Sequence, residues 1–434
     1  MNEIPKIANR FSETTVSLEP QPGSRLDRPS LRVAYVLLWF PAPTETFIFR
    51  EVVNLRKLGL SLRVFTLYGG KSANLSAEMQ AASADVERLG WRALPRLIGA
   101  LRYWRKRKPA VVKELLRSLG HLDWRTPEKS GESVWAMFAG FELARRFEAQ
   151  GIEHIHASWA SGCATAAWAA SKLTGVPFSF TARAWDIYPP DGLIRHKLRD
   201  AVLVRTETAA NVRHLAAFAD GGLDKFQVTY NGVPLQVDGE AAVAMRPPYR
   251  ILAVGRFVRK KGFDQLLRAA RLLADAGIDF RLDFAGEGAL NWPLKWLTRR
   301  LKLSDRVHFH GFVTHDDIAK LYAAADVFVM PCVVAPSSDR DGLPTVLLEA
   351  LLHRVPVVTT AVSGIPELIE DGVTGLLVRE RDPAAIAAAI KRIIADRDEA
   401  VAMAERGRAR VRQQFDPERN HRRVFDLYRQ FVPH

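Results

Sequence analysis

The sequence predicts an α/β protein made of two open, doubly wound parallel sheets in tandem, and three observations carry that prediction. Short apolar runs alternate with helix-length segments twice over, first up to about residue 230 and again from residue 250. Between the two series, Asn231-Gly232-Val233-Pro234 and Pro247-Pro248 frame a weakly patterned passage. The chain has 434 residues, more than one hydrophobic core usually serves, so two domains of roughly 200 residues each are expected.

Taken in order, residues 1–30 are polar and without periodicity, which predicts a disordered tail. Residues 31–38 read as a buried strand and 46–58 as a helix with Glu51, Arg56 and Lys57 facing water; residues 62–67 read as a second strand. His154-Ile155-His156-Ala157, an Ala-rich helix over 163–173 and a strand over 177–181 repeat the rhythm, and strands follow at 201–204 and 226–230. These make a first domain over 31–232, with a linker over 233–249. The second domain, 250–415, is predicted from strands at 250–254, 280–284, 307–309, 327–330, 357–360 and 375–378, with helices at 263–276, 294–301, 316–324, 345–352 and 383–394. A last helix, in 416–434, has no strand of its own to pack beside and is expected to cross back to the first domain. Open α/β sheets bind ligands beyond the carboxyl ends of their strands, so the expected site is a cleft between the domains.

Composition narrows the class. Apolar residues at 48% and charged residues at 25% are ordinary for a globular chain. No stretch of eighteen residues is apolar without a charge, and residues 1–30 contain no signal-like apolar core, so a cytoplasmic protein is expected. Cys163 and Cys332 are too far apart in sequence to suggest a disulfide framework or a metal motif. A net charge of +14 implies an anionic partner: phosphates, nucleic acid or a lipid surface.

The chemistry is concentrated in Asp341-Gly342-Leu343-Pro344-Thr345-Val346-Leu347-Leu348-Glu349. A carboxylate in a Gly-Pro turn is followed eight positions later by a second carboxylate inside an apolar helix; a turn that opens that helix brings both to one place. Amides at a helix start favour phosphate, and a carboxylate can accept hydrogen bonds from sugar hydroxyls. Gly255-Arg256, with Lys260, Lys261 and Gly262 close behind, is a strand-end turn at which Arg256 and Lys261 could grip a diphosphate and neutralise its charge as it leaves. That combination is suited to holding a nucleotide sugar.

Across these residues the chain resembles the retaining, nucleotide-sugar-dependent glycosyltransferases of family 4. The resemblance is carried by Asn231-Gly232-Val233, Val254-Gly255-Arg256 with Lys261-Gly262, Ala285-Gly286-Glu287-Gly288, residues 307–311, Ala325-Asp326-Val327-Phe328 and the run from Asp341 to Val378. In the first domain, Phe40-Pro41 with Thr44-Glu45-Thr46-Phe47-Ile48, and Phe180-Thr181 with Asp186-Ile187-Tyr188, resemble the branch that builds bacterial exopolysaccharides of the colanic-acid type. The resemblance implies two tandem Rossmann-like domains (GT-B) facing an interdomain cleft, the first binding acceptor and the second the nucleotide sugar. It further implies that Arg256 and Lys261 hold the donor diphosphate, that Glu349 holds the ribose hydroxyls, and that Asp341 with the amides of Gly342, Leu343, Pro344 and Thr345 holds the transferred sugar. Gly286, Glu287 and Gly288 join the donor site. No metal is required; the donor is a nucleoside-diphosphate sugar and the acceptor a saccharide or lipid-linked saccharide.

Two positions depart from the family pattern. Asp341 stands where glutamate is usual, shortening the reach by about one bond length. Arg183 stands where a histidine serves the reacting centre; arginine cannot shuttle a proton but can clamp a phosphate. A catalytically impaired nucleotide-sugar-binding or polysaccharide-binding subunit is the alternative that Arg183 raises. His156, at a strand end, is open to an acceptor-side role or a structural one, while His308 and His310 read as structural. Asp339-Arg340-Asp341 imitates an Asp-x-Asp metal signature outside its usual context, and Glu45 with Thr44 reads either as an acceptor-orienting group or as a helix cap. Residues 91–124 mix Trp91, Trp104 and Trp124 with many Arg and Lys and only Glu114 and Asp123 as acids. This suits either an anionic leaflet touched peripherally or a solvated helix pair with core tryptophans. No recognised nucleic-acid-binding module surrounds it.

Overall fold

The computed structural model describes residues 31–43, 45–70, 75–124, 126–235 and 245–432. The expected tail over 1–30, Thr44 and the greater part of the expected linker lie outside the described residues. The chain divides into two compact units, one taking in residues up to Asn231 together with those from Glu418 onward, the other running from Gly232 to Pro417.

The first unit is a seven-stranded sheet of β1 (Arg32–Leu37), β2 (Ser61–Thr66), β3 (Glu87–Arg88), β4 (His154–Ala157), β5 (Phe178–Ala182), β6 (Leu203–Thr206) and β7 (Phe226–Val228). The order is β3-β2-β1-β4-β5-β6-β7 and every pairing is parallel. Side chains alternate across β1: Val33, Tyr35 and Leu37 enter one core, Ala34 and Val36 the other. The first of these faces is covered by the helices Thr46–Lys57 and Pro417–Phe431, the latter through Val424, Leu427 and Tyr428. The final helix is also tied down by Asn420, which donates to the Tyr230 carbonyl at 3.0 Å, and by His421, 2.8 Å from the Asn54 amide.

The opposite face is covered by the helices Leu94–Arg107, Pro127–Gln150 and Gly162–Thr174. Gly140 lets the last two approach closely, since a Cβ there would sit 2.7 Å from both the Ala166 carbonyl oxygen and the Ala169 Cβ. Trp104 donates its indole N–H to the Phe141 carbonyl at 2.9 Å, giving a fully buried ring a polar partner.

One expectation is corrected here. Glu51, predicted to face water, is buried on the inner side of its helix. It is there because Arg205 from β6 reaches both of its carboxylate oxygens, at 2.9 and 2.8 Å, and the Tyr35 hydroxyl donates to Oε1. Burial pushes the Glu51 carboxyl up, but the Arg205 guanidinium, with Arg183 and His421 adding to it, holds it well below the usual carboxylate range.

The second unit is a six-stranded parallel sheet of β8 (Tyr249–Val254), β9 (Phe280–Ala285), β10 (Val307–Gly311), β11 (Val327–Met330), β12 (Val357–Thr360) and β13 (Leu376–Val378), ordered β10-β9-β8-β11-β12-β13. Its helices follow from local chemistry. Phe263–Asp275 buries Leu266, Leu267, Ala270 and Leu273 on one stripe, and Pro383–Ala395 starts on a Pro with Asp382 accepting from the Ala385 amide at 2.9 Å. Both units are therefore doubly wound parallel α/β layers, as predicted. No helix among the described residues is long and apolar enough to cross a membrane.

Replacing Glu51 by Ala leaves Arg205 as an uncompensated buried cation and is expected to cost about 3–5 kcal/mol of stability in urea denaturation. The paired change Glu51→Leu with Arg205→Met is expected to recover most of that loss. Equal losses in the single and paired variants would show that the ion pair is not what the first measurement reports.

Candidate functional site

In the second unit the strand order reverses between β8 and β11, so the carboxyl ends of these two strands flank the place where such sheets take ligands. Beyond β8 the chain passes through Gly255, Arg256 and Phe257 and is laced to the turn after β9. Phe257 N–H donates to the Glu287 carbonyl at 2.8 Å, and Leu290 N–H donates to the Phe257 carbonyl at 2.9 Å. The close approach requires glycine: a Cβ on Gly286 would lie 2.1 Å from the Gly255 carbonyl oxygen. The Gly286-Glu287-Gly288 backbone is thus held against the Arg256 turn.

Gly262 does the same work between β8 and β11. Its φ of 66° is left-handed, and a Cβ there would meet the Pro331 carbonyl oxygen at 1.9 Å. Lys260 accepts at its carbonyl from Val333 N–H at 2.9 Å. This seam buries both lysine side chains against acids from the segment after β11. Lys261 Nζ lies 2.8 Å from Asp341, and Lys260 Nζ lies 3.0 Å from Asp339 and 3.6 Å from Asp341. Burial pushes the Lys261 ammonium down, but Asp341 and Cys332 together raise it above the ordinary lysine value, with Arg256 pushing the other way. Burial pushes Asp341 up, yet Lys261 and Lys260 together hold it below the usual carboxylate range.

Asp341 leads into Gly342, Leu343 and Pro344, and then Thr345–Leu352 is helical. The Gly342 carbonyl accepts from Gly364 N–H at 2.9 Å, which ties this turn to the segment after β12. No side chain caps the helix start. Glu349, on its second turn, accepts from the Tyr322 hydroxyl at 3.0 Å. Arg256 is exposed and makes no ion pair with a described residue. Lys261 and Asp341 are therefore in contact, and the glycine turn over 286–288 is joined to Arg256 through backbone. Sequence reasoning assigned no role to Tyr322, Cys332 or Lys260. Cys332 Sγ is 3.7 Å from Asp341, and burial pushes its thiol up. Only the position of Lys260 beside Lys261 gave any signal.

Asp339 and Asp341 direct oxygens to Lys260, and the described residues contain no group of three or more His, Cys, Asp or Glu placed to hold a metal. His310, on the edge strand β10, lies 2.8 Å from Asp283 on β9.

In the first unit Arg183 follows β5 directly and is the N-cap of the short helix Ala184–Ile187. Its guanidinium pairs with Glu207, lies 3.2 Å from Asn231 Oδ1, and stacks over Phe47 and Trp159 at 4.6 and 5.3 Å. Nη2 has no hydrogen-bond partner among the described residues. Asp186 accepts from the Arg183 and Ala160 amides; burial pushes its carboxyl up to about 6 against those two bonds. Burial raises Glu45 as well, opposed by Arg183. His156 lies inside the core, its ring nitrogens 2.7 Å from Ser179 Oγ and 3.1 Å from Thr181 Oγ1, with Tyr35 and Tyr428 against its ring. Burial holds it far below the ordinary histidine value, so the ring is neutral. His154 shares the Ser179 hydroxyl at 2.7 Å and is pushed down by burial to about 3.

Residues 243–410 match the family described as glycosyl transferases group 1. WcaL of Escherichia coli (strain K12), a glycosyltransferase assigned to colanic acid biosynthesis, is 27% identical over 92% of this chain and 99% of its own length. The amylovoran biosynthesis glycosyltransferase AmsK of Erwinia amylovora is 33% identical over 47% of this chain, and the match spans half of AmsK. Among solved structures, Anabaena Alr3699/HepE in complex with UDP shares the fold at a TM-score of 0.66 and 18% identity, covering 92% of this chain and 100% of that one. Sucrose-phosphate synthase of Thermosynechococcus elongatus does so at 0.68 and 19%, covering 92% and 98%. Residues 243–410 thus match the group 1 glycosyl transferases, and the chain shares its fold of two parallel α/β units with these solved structures.

Proposed function

We propose that this enzyme transfers a sugar, with retention, from a nucleoside-diphosphate sugar to a saccharide or lipid-linked saccharide in exopolysaccharide biosynthesis. The observation that carries the donor half of this reading is the buried Lys261–Asp341 contact at the reversal of strand order in the second unit. A lysine there is held charged, an exposed Arg256 stands beside it in sequence on the same turn, and a helix start without a side-chain cap follows Asp341. Cations and helix-start amides together favour a diphosphate. The proteins this chain resembles support the rest: HepE structures hold UDP or UDP-glucose, and AmsK and WcaL bear names from exopolysaccharide synthesis.

On this reading Arg256 and Lys261 neutralise the leaving diphosphate, which is where charge develops as the glycosyl bond breaks. Asp341 and the backbone of Gly342, Leu343, Pro344 and Thr345 hold the transferred sugar. Glu349, oriented by Tyr322, takes the ribose hydroxyls, and the Gly286-Glu287-Gly288 turn lines the donor. The acceptor hydroxyl attacks on the face the phosphate vacates, so phosphate stabilisation does the work that a side-chain nucleophile would otherwise do. Arg183, with Nη2 unpartnered, serves the first unit as a fixed cation for an anionic group, and His156 holds the fold of that unit.

UDP at a hundredfold its dissociation constant is expected to stabilise the protein by about 2.7 kcal/mol in a thermal-shift assay. Arg256→Ala and Lys261→Ala are each expected to remove most of that shift, and a full shift in both would rule out the donor assignment.

Asp341→Asn releases Lys261 from its carboxylate. UDP is then expected to bind as well as or severalfold more tightly than to the unaltered chain, while sugar transfer falls at least tenfold. Loss of UDP binding together with transfer would show that Asp341 acts on the nucleotide and not on the sugar.

A further inference from the structure

The helix Asn291–Arg300, which joins β9 to β10, buries one face and leaves the other bare. Leu294 and Thr298 are buried, while Trp292 is 74% exposed and Trp296 48%. At about 100° per residue, Lys295, Arg299, Trp292, Trp296 and Arg300 fall in that order within an arc of about 140°, and Leu294 and Thr298 lie outside it. The three cations are exposed, and none has an ion-pair partner among the described residues. Arg300 lays its guanidinium over the Trp296 ring at 5.2 Å, and Lys295 Nζ lies 5.8 Å from the Phe309 ring of β10. Between Glu287 and Asp305 the chain carries Lys295, Arg299, Arg300 and Lys302 and no acid. The bare face is thus aromatic at its centre and cationic at both margins.

A third ring is anchored beside it. Phe312, 81% exposed, follows Gly311, whose carbonyl accepts from Gly286 N–H at 2.8 Å. Trp292 follows Asn291, whose N–H donates to the Gly288 carbonyl at 2.9 Å. Both rings are therefore fixed to one short turn. Large apolar side chains exposed singly are ordinary, but grouped ones mark a binding surface. Tryptophan suits the boundary between hydrocarbon and headgroups, and lysine and arginine suit anionic headgroups. A helix lying in the plane of a leaflet has this arrangement of aromatic residues with cations alongside. A protein surface could take the rings alone; unpaired cations on both margins match a plane that is anionic throughout.

We propose that the helix Asn291–Arg300, together with Phe312, docks on the anionic face of a phospholipid bilayer. Trp292 and Trp296 enter the headgroup boundary, while Lys295, Arg299 and Arg300 meet lipid phosphates. Docking needs no nucleotide and so stands apart from the donor reading. Where both hold, the Gly286-Glu287-Gly288 turn works at the leaflet surface.

The test is co-sedimentation of the full chain, without nucleotide, with vesicles of phosphatidylcholine alone and of phosphatidylcholine mixed equally with phosphatidylglycerol. Binding to the mixed vesicles is expected to weaken as salt is raised and to exceed that to phosphatidylcholine alone by at least about tenfold. Trp292→Ala with Trp296→Ala keeps every charge and is expected to weaken binding to the mixed vesicles at least about tenfold. Arg299→Gln with Arg300→Gln is expected to weaken it about 25-fold, at about fivefold per cation. Trp91→Ala, in the first unit, is expected to bind as the unaltered chain does. The altered side chains are all exposed, so each variant is expected to keep the urea midpoint of the unaltered chain. Lipid brominated in its acyl chains is expected to quench tryptophan fluorescence of the unaltered chain and of the paired arginine variant at saturating lipid, but not of the paired tryptophan variant. Failure to bind the mixed vesicles overturns the proposal. So does binding unchanged by the paired tryptophan change, which is what mere attraction of a net charge of +14 to an anionic surface would give.

Discussion

The contact between Gly262 and the Pro331 carbonyl is the constraint on which the second unit's chemistry depends. A side chain at 262 has no room, so the turn after β8 lies directly on the exit of β11. The seam carries Lys260 and Lys261 out of water, and buried ammonium groups demand carboxylates. Asp339 and Asp341 meet that demand, which fixes the acidic turn and with it the start of the helix Thr345–Leu352. The neighbouring seam at Gly255 and Gly286 works by the same exclusion of side chains. Position is thus set by backbone proximity, and the charges follow from it.

The first unit handles charge differently. Glu51 and Arg205 sit between two layers of apolar packing, where removal of either partner strands the other. Arg183 and Glu207 form a second such pair, with aromatic faces from Phe47 and Trp159 replacing water around the guanidinium. The histidines of β4 belong to this interior, sharing one serine hydroxyl, and their neutrality follows from enclosure, with the Arg205 cation adding to it at His156 against Glu51.

The alternation of strands and helices was readable because parallel strands buried on both faces appear as unbroken apolar runs. The helix Pro127–Gln150 was not, for a physical reason. It buries Ala136, Met137, Gly140, Phe141 and Phe147 against more than one neighbour, so its sequence shows no single stripe. Glu51 was misplaced because helical periodicity reports which face is apolar and cannot report a cation waiting on another strand. The turn from Asp341 and the cations at 256 and 261 were legible as residue types in sequence order. Their contact partners were not: Tyr322 against Glu349 joins two helices 27 positions apart, and Cys332 meets Asp341 across an irregular segment that shows no periodicity.

The helix Pro417–Phe431 completes a hydrophobic layer begun nearly four hundred positions earlier, since Val424, Leu427 and Tyr428 close over Val33, Tyr35 and Val52. The second unit is in effect inserted into a loop of the first. During synthesis on the ribosome, the earlier-made sheet must therefore wait with one side uncovered until the whole intervening unit has emerged. Nascent-chain partners that shield apolar surface would have their longest period of engagement on that side.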